Sequence, residues 1–176
     1  MSTAKPNAML TAIILAICRN TDNPKVSYYD EDRIVVIHGI HPADEGRIIG
    51  RKGAVFRALM VLHYYACRYL GMEQYTIEPL ETSTHPDTGK SPTFLPRMDW
   101  DKARITAMIE AVLSYCFPSA AWVLERDGED VTARVRISKD LKPDPLDPSF
   151  ESALDTIIHT AGKSCGVNLH TEVIWA

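Results

Sequence analysis

The run His41-Pro42-Ala43-Asp44-Glu45-Gly46-Arg47-Ile48-Ile49-Gly50-Arg51-Lys52-Gly53 leads straight into a helical pattern from Val55 to Leu70. It predicts a short helix over residues 43–49 that stops at Gly50, a turn with Arg51 and Lys52 at its tip, and a long helix of about 54–70 opened by Gly53. Glycine at both ends of the turn allows a positive φ and leaves no side chain to hold another backbone away. The first amides of the long helix are expected to point outward, unpaired, at the positive end of its dipole and beside two cations. Such a place suits one or two phosphates of a nucleic-acid strand.

Upstream, residues 7–18 have helical spacing through Leu10, Ile13, Ile14 and Ile17. Asn20 to Pro24 reads as a turn, Lys25 to Tyr29 as a short strand, and Asp30-Glu31-Asp32 as a tight connection. Arg33 to Ile40 is β-branched and apolar, as a central strand would be. Downstream, Gly71 ends the long helix and a last strand is expected over 73–79, closing at Pro79. The order is α-β-β-α-α-β.

These words together resemble the KH domain, in its small stand-alone bacterial form. His-Pro-x-Asp before the loop, Gly46-x-Ile48-Ile49-Gly50-x-x-Gly53 through it and Arg57-Ala58-Leu59 after it carry the likeness. An isolated GxxG would mean little; the extended pattern is specific. The resemblance implies the type II topology, and a glycine loop that clamps the backbone of a short single strand of RNA. On that reading Gly50, Arg51, Lys52 and Gly53 hold the backbone. Ile49 or Ile48 lies on an apolar floor under the bases, and Arg47 and Arg57, a turn to either side, stand in a second rank. The preference for RNA over single-stranded DNA is also the resemblance's.

Residues 81–98 turn to Thr, Ser, Pro and Gly, the composition of a linker. Gly89-Lys90-Ser91 within it is no P-loop, because Thr84 stands where the first glycine belongs. Beyond it the beginning repeats. A shift of 95 residues places Leu10 to Ile17 on Ile105 to Val112, Ala58-Leu59 on Ala153-Leu154, Leu62 on Ile157, Arg68 on Lys163 and Gly71 on Gly166. Strands are expected over Ala120 to Arg126, Asp130 to Ser138 and Asn168 to Trp175. The chain is therefore read as an α+β protein of two KH-like domains, 1–80 and 99–176. The second has lost the site. Lys142-Pro143-Asp144-Pro145-Leu146-Asp147-Pro148 stands where the glycine loop should be, its prolines short of amide donors and its aspartates repelling phosphate.

Charge separates the halves as well. Net charge is −4. Residues 1–80 carry 9 Lys and Arg against 8 Asp and Glu, whereas residues 99–176 carry 8 against 13. Arg47, Arg51, Lys52 and Arg57 fall within eleven residues, so nucleic-acid binding should be local and lack a broad basic footprint. A rival reading, favoured by the acidic second half, makes that half a built-in dimer mate or a docking surface for another protein.

Tyr64, Tyr65 and Tyr69 lie too far from the loop to stack on bases and are expected to pack on the sheet or the other repeat. His38 and His41 spell no metal site, and no paired carboxylates or Ser/His/Asp set suggests an enzyme. No cofactor is implied. Cys18, Cys67, Cys116 and Cys165 stand singly, as buried reduced thiols would. No apolar run nears the ~20 residues of a membrane span, and Met9 to Cys18 leads to no cleavage site. A cytoplasmic protein is expected.

Overall fold

The computed structural model describes residues 5–78 and 101–176. Both halves are α+β, and each packs a three-stranded sheet against helices. The 81–98 linker and the end of the strand expected at Pro79 lie outside the described residues.

In the first half, α1 (Asn7–Ile17) precedes β1 (Lys25–Tyr29) and β2 (Ile34–His38), paired antiparallel with Lys25 opposite His38. A 3-10 turn at Pro42–Asp44 leads into α2 (Glu45–Ile49), then α3 (Ala54–Tyr69) and β3 (Thr76–Ile77). The second half has α4 (Lys102–Cys116), β4 (Ala121–Asp127), β5 (Asp130–Ile137), α5 (Phe150–Ser164) and β6 (Asn168–Trp175). Its order matches the first with α2 left out, and the last strand is parallel to the middle one in both sheets.

Two strands are shorter than their composition predicts. β2 spans Ile34–His38 and not Arg33 to Ile40, because Arg33 belongs to the preceding turn with φ at 56°. β3 is two residues long where 73–79 was expected. Thr76 pairs with Ile34, the first residue of β2, so residues 73–75 face the turn that ends at Arg33 and have no strand to pair with, while the side chains of Glu73, Gln74 and Tyr75 bond to Arg33, to the Tyr64 carbonyl (3.4 Å) and to Asp30 (2.8 Å). β5 is eight residues long, and β6 pairs along all of it, from Asp130–Asn168 to Ile137–Trp175.

Helix packing follows from sequence. α1 is apolar nearly all round, as a helix covered on more than one side must be. Met9, Leu10, Ile13, Ile14 and Ile17 are buried, and α1 packs on α4, whose Ile105, Met108, Ile109 and Val112 are buried in turn. α3 packs on α5. Each of these pairs joins an element to the one that stands at its place in the other half. One apolar core runs through both halves. Tyr65, Phe117 and Phe150 interlock within it edge-to-face or tilted, with centroids 4.7–5.9 Å apart.

All four cysteines are buried free thiols, and burial pushes Cys18 up to about 12 and Cys67 to about 11. His63 is also buried, hydrogen-bonded to the Tyr28 hydroxyl at 3.0 Å with Cys67 Sγ 3.7 Å away. Burial lowers its pKa to about 4, so the imidazole is neutral at pH 7.

Candidate nucleic-acid interface

The glycine turn is built by backbone conformation. Gly50 ends α2 with φ 73° and ψ 172°, a region open essentially to glycine alone. A Cβ there would lie 2.4 Å from Val55 Cγ2 and 2.8 Å from the Val55 nitrogen. Lys52 (φ 54°) and Gly53 (φ 74°) follow in the left-handed region. Three positive φ values in four residues force a sharp reversal and set Arg51 and Lys52 at its exposed tip.

Not every amide expected to face outward does so. Gly53 donates to the Gly50 carbonyl at 3.1 Å, and the Ala54 N–H is given to the Arg51 carbonyl. The turn thus uses two of the donors at the start of α3, and the two side-chain cations carry more of any anion binding. Arg57, one turn into α3, donates from Nη1 to the Lys52 carbonyl at 2.7 Å. It braces the tip from behind.

The two isoleucines separate cleanly. Ile48 is fully buried in the core, whereas Ile49 is 41% exposed beside the turn. Ile49 is therefore the apolar side chain available at the surface. Arg47 points the other way, to the junction with the second half. Its Nη1 donates to Ser164 Oγ at 3.2 Å, and its Nε lies 3.8 Å from Asp44. Ser164 in turn donates to the Ile17 carbonyl at 2.6 Å, and Arg19 donates to the Ser164 and Lys163 carbonyls at 3.0 and 3.1 Å. The C-terminus of α5 is thereby fastened to the end of α1 and the middle of α2.

Asp44 stands out in no sequence pattern as more than part of the approach to the loop, yet it anchors α2. It is fully buried and accepts from the Arg19 amide (3.0 Å), the Asn20 amide (2.8 Å), Asn20 Nδ2 (3.2 Å) and the Thr21 hydroxyl (2.8 Å). Burial alone would raise this carboxyl, but the hydrogen bonds outweigh it and hold the group below the usual carboxylate range. The signal was an acid at the start of a short helix, following Pro42-Ala43. His41 caps the same turn, its Nδ1 accepting from the Ala43 amide at 3.1 Å.

The corresponding segment of the second half is a strap. The Asp147 amide donates to the Asp144 carbonyl at 2.9 Å, and the Leu146 amide donates to the Asp144 carboxylate at 3.0 Å. Asp147 meets α3 of the first half: its carboxylate accepts from Arg68 Nη1 at 2.7 Å and from the Tyr64 hydroxyl at 3.1 Å. The Tyr65 hydroxyl donates to the Pro148 carbonyl at 2.6 Å. Tyr64 and Tyr65 thus pack on the other repeat, while Tyr69 is exposed. Arg68 beside it holds the Asp147 carboxyl below its ordinary value.

Among the described residues no cluster of three metal-ligating side chains occurs, and no helix is long and apolar enough to cross a membrane. Among the described residues the fold and site are those of an α+β protein with two three-stranded sheets and an exposed cationic glycine turn. No protein-family model, curated protein or solved structure matches the chain.

Proposed function

We propose that this chain binds single-stranded RNA, about four nucleotides of it, at the glycine turn of a KH-like type II first half. The observation that carries the reading is the turn itself: Gly50, Lys52 and Gly53 at positive φ, Arg51 and Lys52 exposed at the tip, and a sixteen-residue helix beginning directly behind. Arg51 and Lys52 contact the phosphates and Ile49 lies under the bases. Arg47 and Arg57 serve chiefly by holding α2 and the turn in place, as their bonds to Ser164 and to the Lys52 carbonyl suggest. The second half is a degenerate copy that supplies the packing a dimer mate would supply. This role is one of binding, without catalysis or cofactor, in the cytoplasm.

The test replaces Arg51 and Lys52 together by Asp. The glycines stay, so the fold should be kept, with stability within about 0.5 kcal/mol of the parent. Affinity for a labelled pool of random-sequence RNA octamers, read by fluorescence anisotropy, should fall at least tenfold. The dependence of log affinity on log salt should flatten by roughly 0.7 for each phosphate that is no longer neutralised. Leu146→Asp, on the strap, should bind as the parent does. A folded double variant with parental affinity would leave the turn a helix connection and favour a protein-docking role for the second half.

A further inference from the structure

The two edges of the second sheet are finished differently. Its order is β4-β5-β6, so β4 and β6 each turn one row of backbone amides and carbonyls away from the sheet. On β6 that row is met by α5. Asp155 accepts from the Thr171 amide at 3.1 Å, and His159, one turn on, donates from Nδ1 to the Leu169 carbonyl at 3.3 Å. Glu151, one turn earlier on the same helix face, accepts from Trp175 Nε1. β4 has no such cover. The Asn168 and Ala176 amides donate to the Glu129 and Ile137 carbonyls, so the odd-numbered residues of β5 turn to β6 and the even-numbered ones to β4. Their partners on β4 are Ala121, Val123, Glu125 and Asp127, which leaves Trp122, Leu124 and Arg126 with their backbone groups outward. Among the described residues nothing bonds to those groups.

A strand edge left open over seven residues is a template for another strand. The side chains say which one. Val123 is 49% exposed on the solvent face, while Trp122 and Leu124 on the other face are only partly buried. Arg136, next to Ala121 across the ladder, is exposed and has no carboxylate partner among the described residues. Arg134 beside it is already tied to Glu125 and Glu172. We propose that β4 pairs antiparallel with β4 of a second copy of this chain, centred on Leu124, and joins two three-stranded sheets into one. A twofold axis at Leu124 sets all seven residues of β4 against the other copy. Arg126 then lies opposite Trp122 of the second copy, Val123 opposite the stem of Glu125, and Ala121 opposite Asp127. Ala121 is too small to block the way, so Arg136 reaches over it to Asp127 of the second copy, two strand spacings or about 10 Å off. Other centres do worse. Glu125 or Arg126 at the axis sets like charges face to face, and Trp122 or Val123 leaves Arg126 and Asp127 without a strand to pair with.

This inference does not depend on the RNA-binding reading. The full chain, freed of nucleic acid, is followed by sedimentation equilibrium over a range of concentrations. The parent is compared with Arg126→Pro, Arg136→Glu, Asp127→Lys and the double variant that combines the last two. The parent should sediment as a dimer that dissociates on dilution. Arg126→Pro should be monomeric, because proline removes an outward amide that β5 does not use and the hairpin keeps its own bonds. Arg136→Glu and Asp127→Lys should each raise the dissociation constant about tenfold by bringing like charges together. The double variant should return it to within about twofold of the parent. Both charge changes fall on exposed side chains, so they decide the matter even where the proline variant does not fold. A parent that stays monomeric overturns the inference. So does a folded Arg126→Pro variant that remains dimeric, or a double variant that associates no more tightly than the two single ones.

Discussion

The glycine turn at 50–53 and the proline strap at 142–148 both lie between the middle strand and the long helix of their halves, and they are built from opposite backbone rules. Gly50 sits at φ 73°, and a shift of 95 residues puts Pro145 in its place. A proline ring fixes φ near −65°, so the strap is barred from the turn's conformation whatever surrounds it. Gly53, also at positive φ, is replaced in the same way by Pro148. The side chains change sense as well. Arg51 and Lys52 are exposed at the tip of the turn, whereas Asp147 is spent on Arg68 and Tyr64 across the junction. One copy presents its loop to the outside and the other turns it inward as a tie. The segment that stands in place of the turn does structural work between the halves instead.

The two loops should differ most at Gly50. Gly50→Ala puts a side chain in a glycine-only conformation and drives it into Val55, 2.4 Å from Cγ2. Strain and overpacking together should cost about 3–5 kcal/mol in chemical unfolding. Pro145→Ala should cost almost nothing by the same measurement, since the strap's turn is held by Asp144 and Asp147. Equal effects at the two positions would mean that the turns are not built by different rules.

The next difference lies beneath the loops. His63 is buried and neutral in the first half, and the shift of 95 places the fully buried Ile158 in the second. With its pKa lowered to about 4 from 6.5, His63 binds a proton in the unfolded chain first. Its contribution to stability is complete above pH 6.5 and is lost as pH falls from 6.5 towards 4, by about 3 kcal/mol. Urea unfolding at a series of pH values should show that slope. His63→Ile should flatten it. A parent whose stability does not change over this range would rule out a neutral buried imidazole.

The smallest effect should come from Asp147→Ala. It leaves Arg68 and Tyr64 on α3 without their partner, and the thermal midpoint should drop slightly, less at high salt, where an ion pair is screened. RNA affinity should not fall. A fall would show that the strap shapes the glycine turn through the shared core and would blur the distinction between the two junctions.

Much of this organisation could be read from the chain. The repeat at 95 residues set the element order of the second half, and the replacement of glycine by proline foretold its irregular segment. Apolar spacing placed α1 and α3 closely, because helix periodicity is local and repeats many times within one element, and the 95-residue shift carried them to α4 and α5. Strand ends were harder. β3 is two residues long because β2 begins only at Ile34, opposite Thr76, and the partner strand's start is not recorded in the local pattern of residues 73–79. Ile48 and Ile49 were indistinguishable by type, and only the direction of α2 sent one to the core and the other to the surface.

By itself, the sequence determined the α+β order of both halves and the glycine turn at 50–53, since each is a local preference of backbone or side chain. The tertiary structure alone decided where Arg47, Asp44, Asp147 and Lys163 stand. The bonds that fix these regions join residues 20 to 147 positions apart, from Thr21 with His41 to Ser164 with Ile17. A hydrogen bond over such a separation leaves no periodicity in the chain. It exists only once the core common to both halves has closed and fixed the angle between α1, α2 and α5.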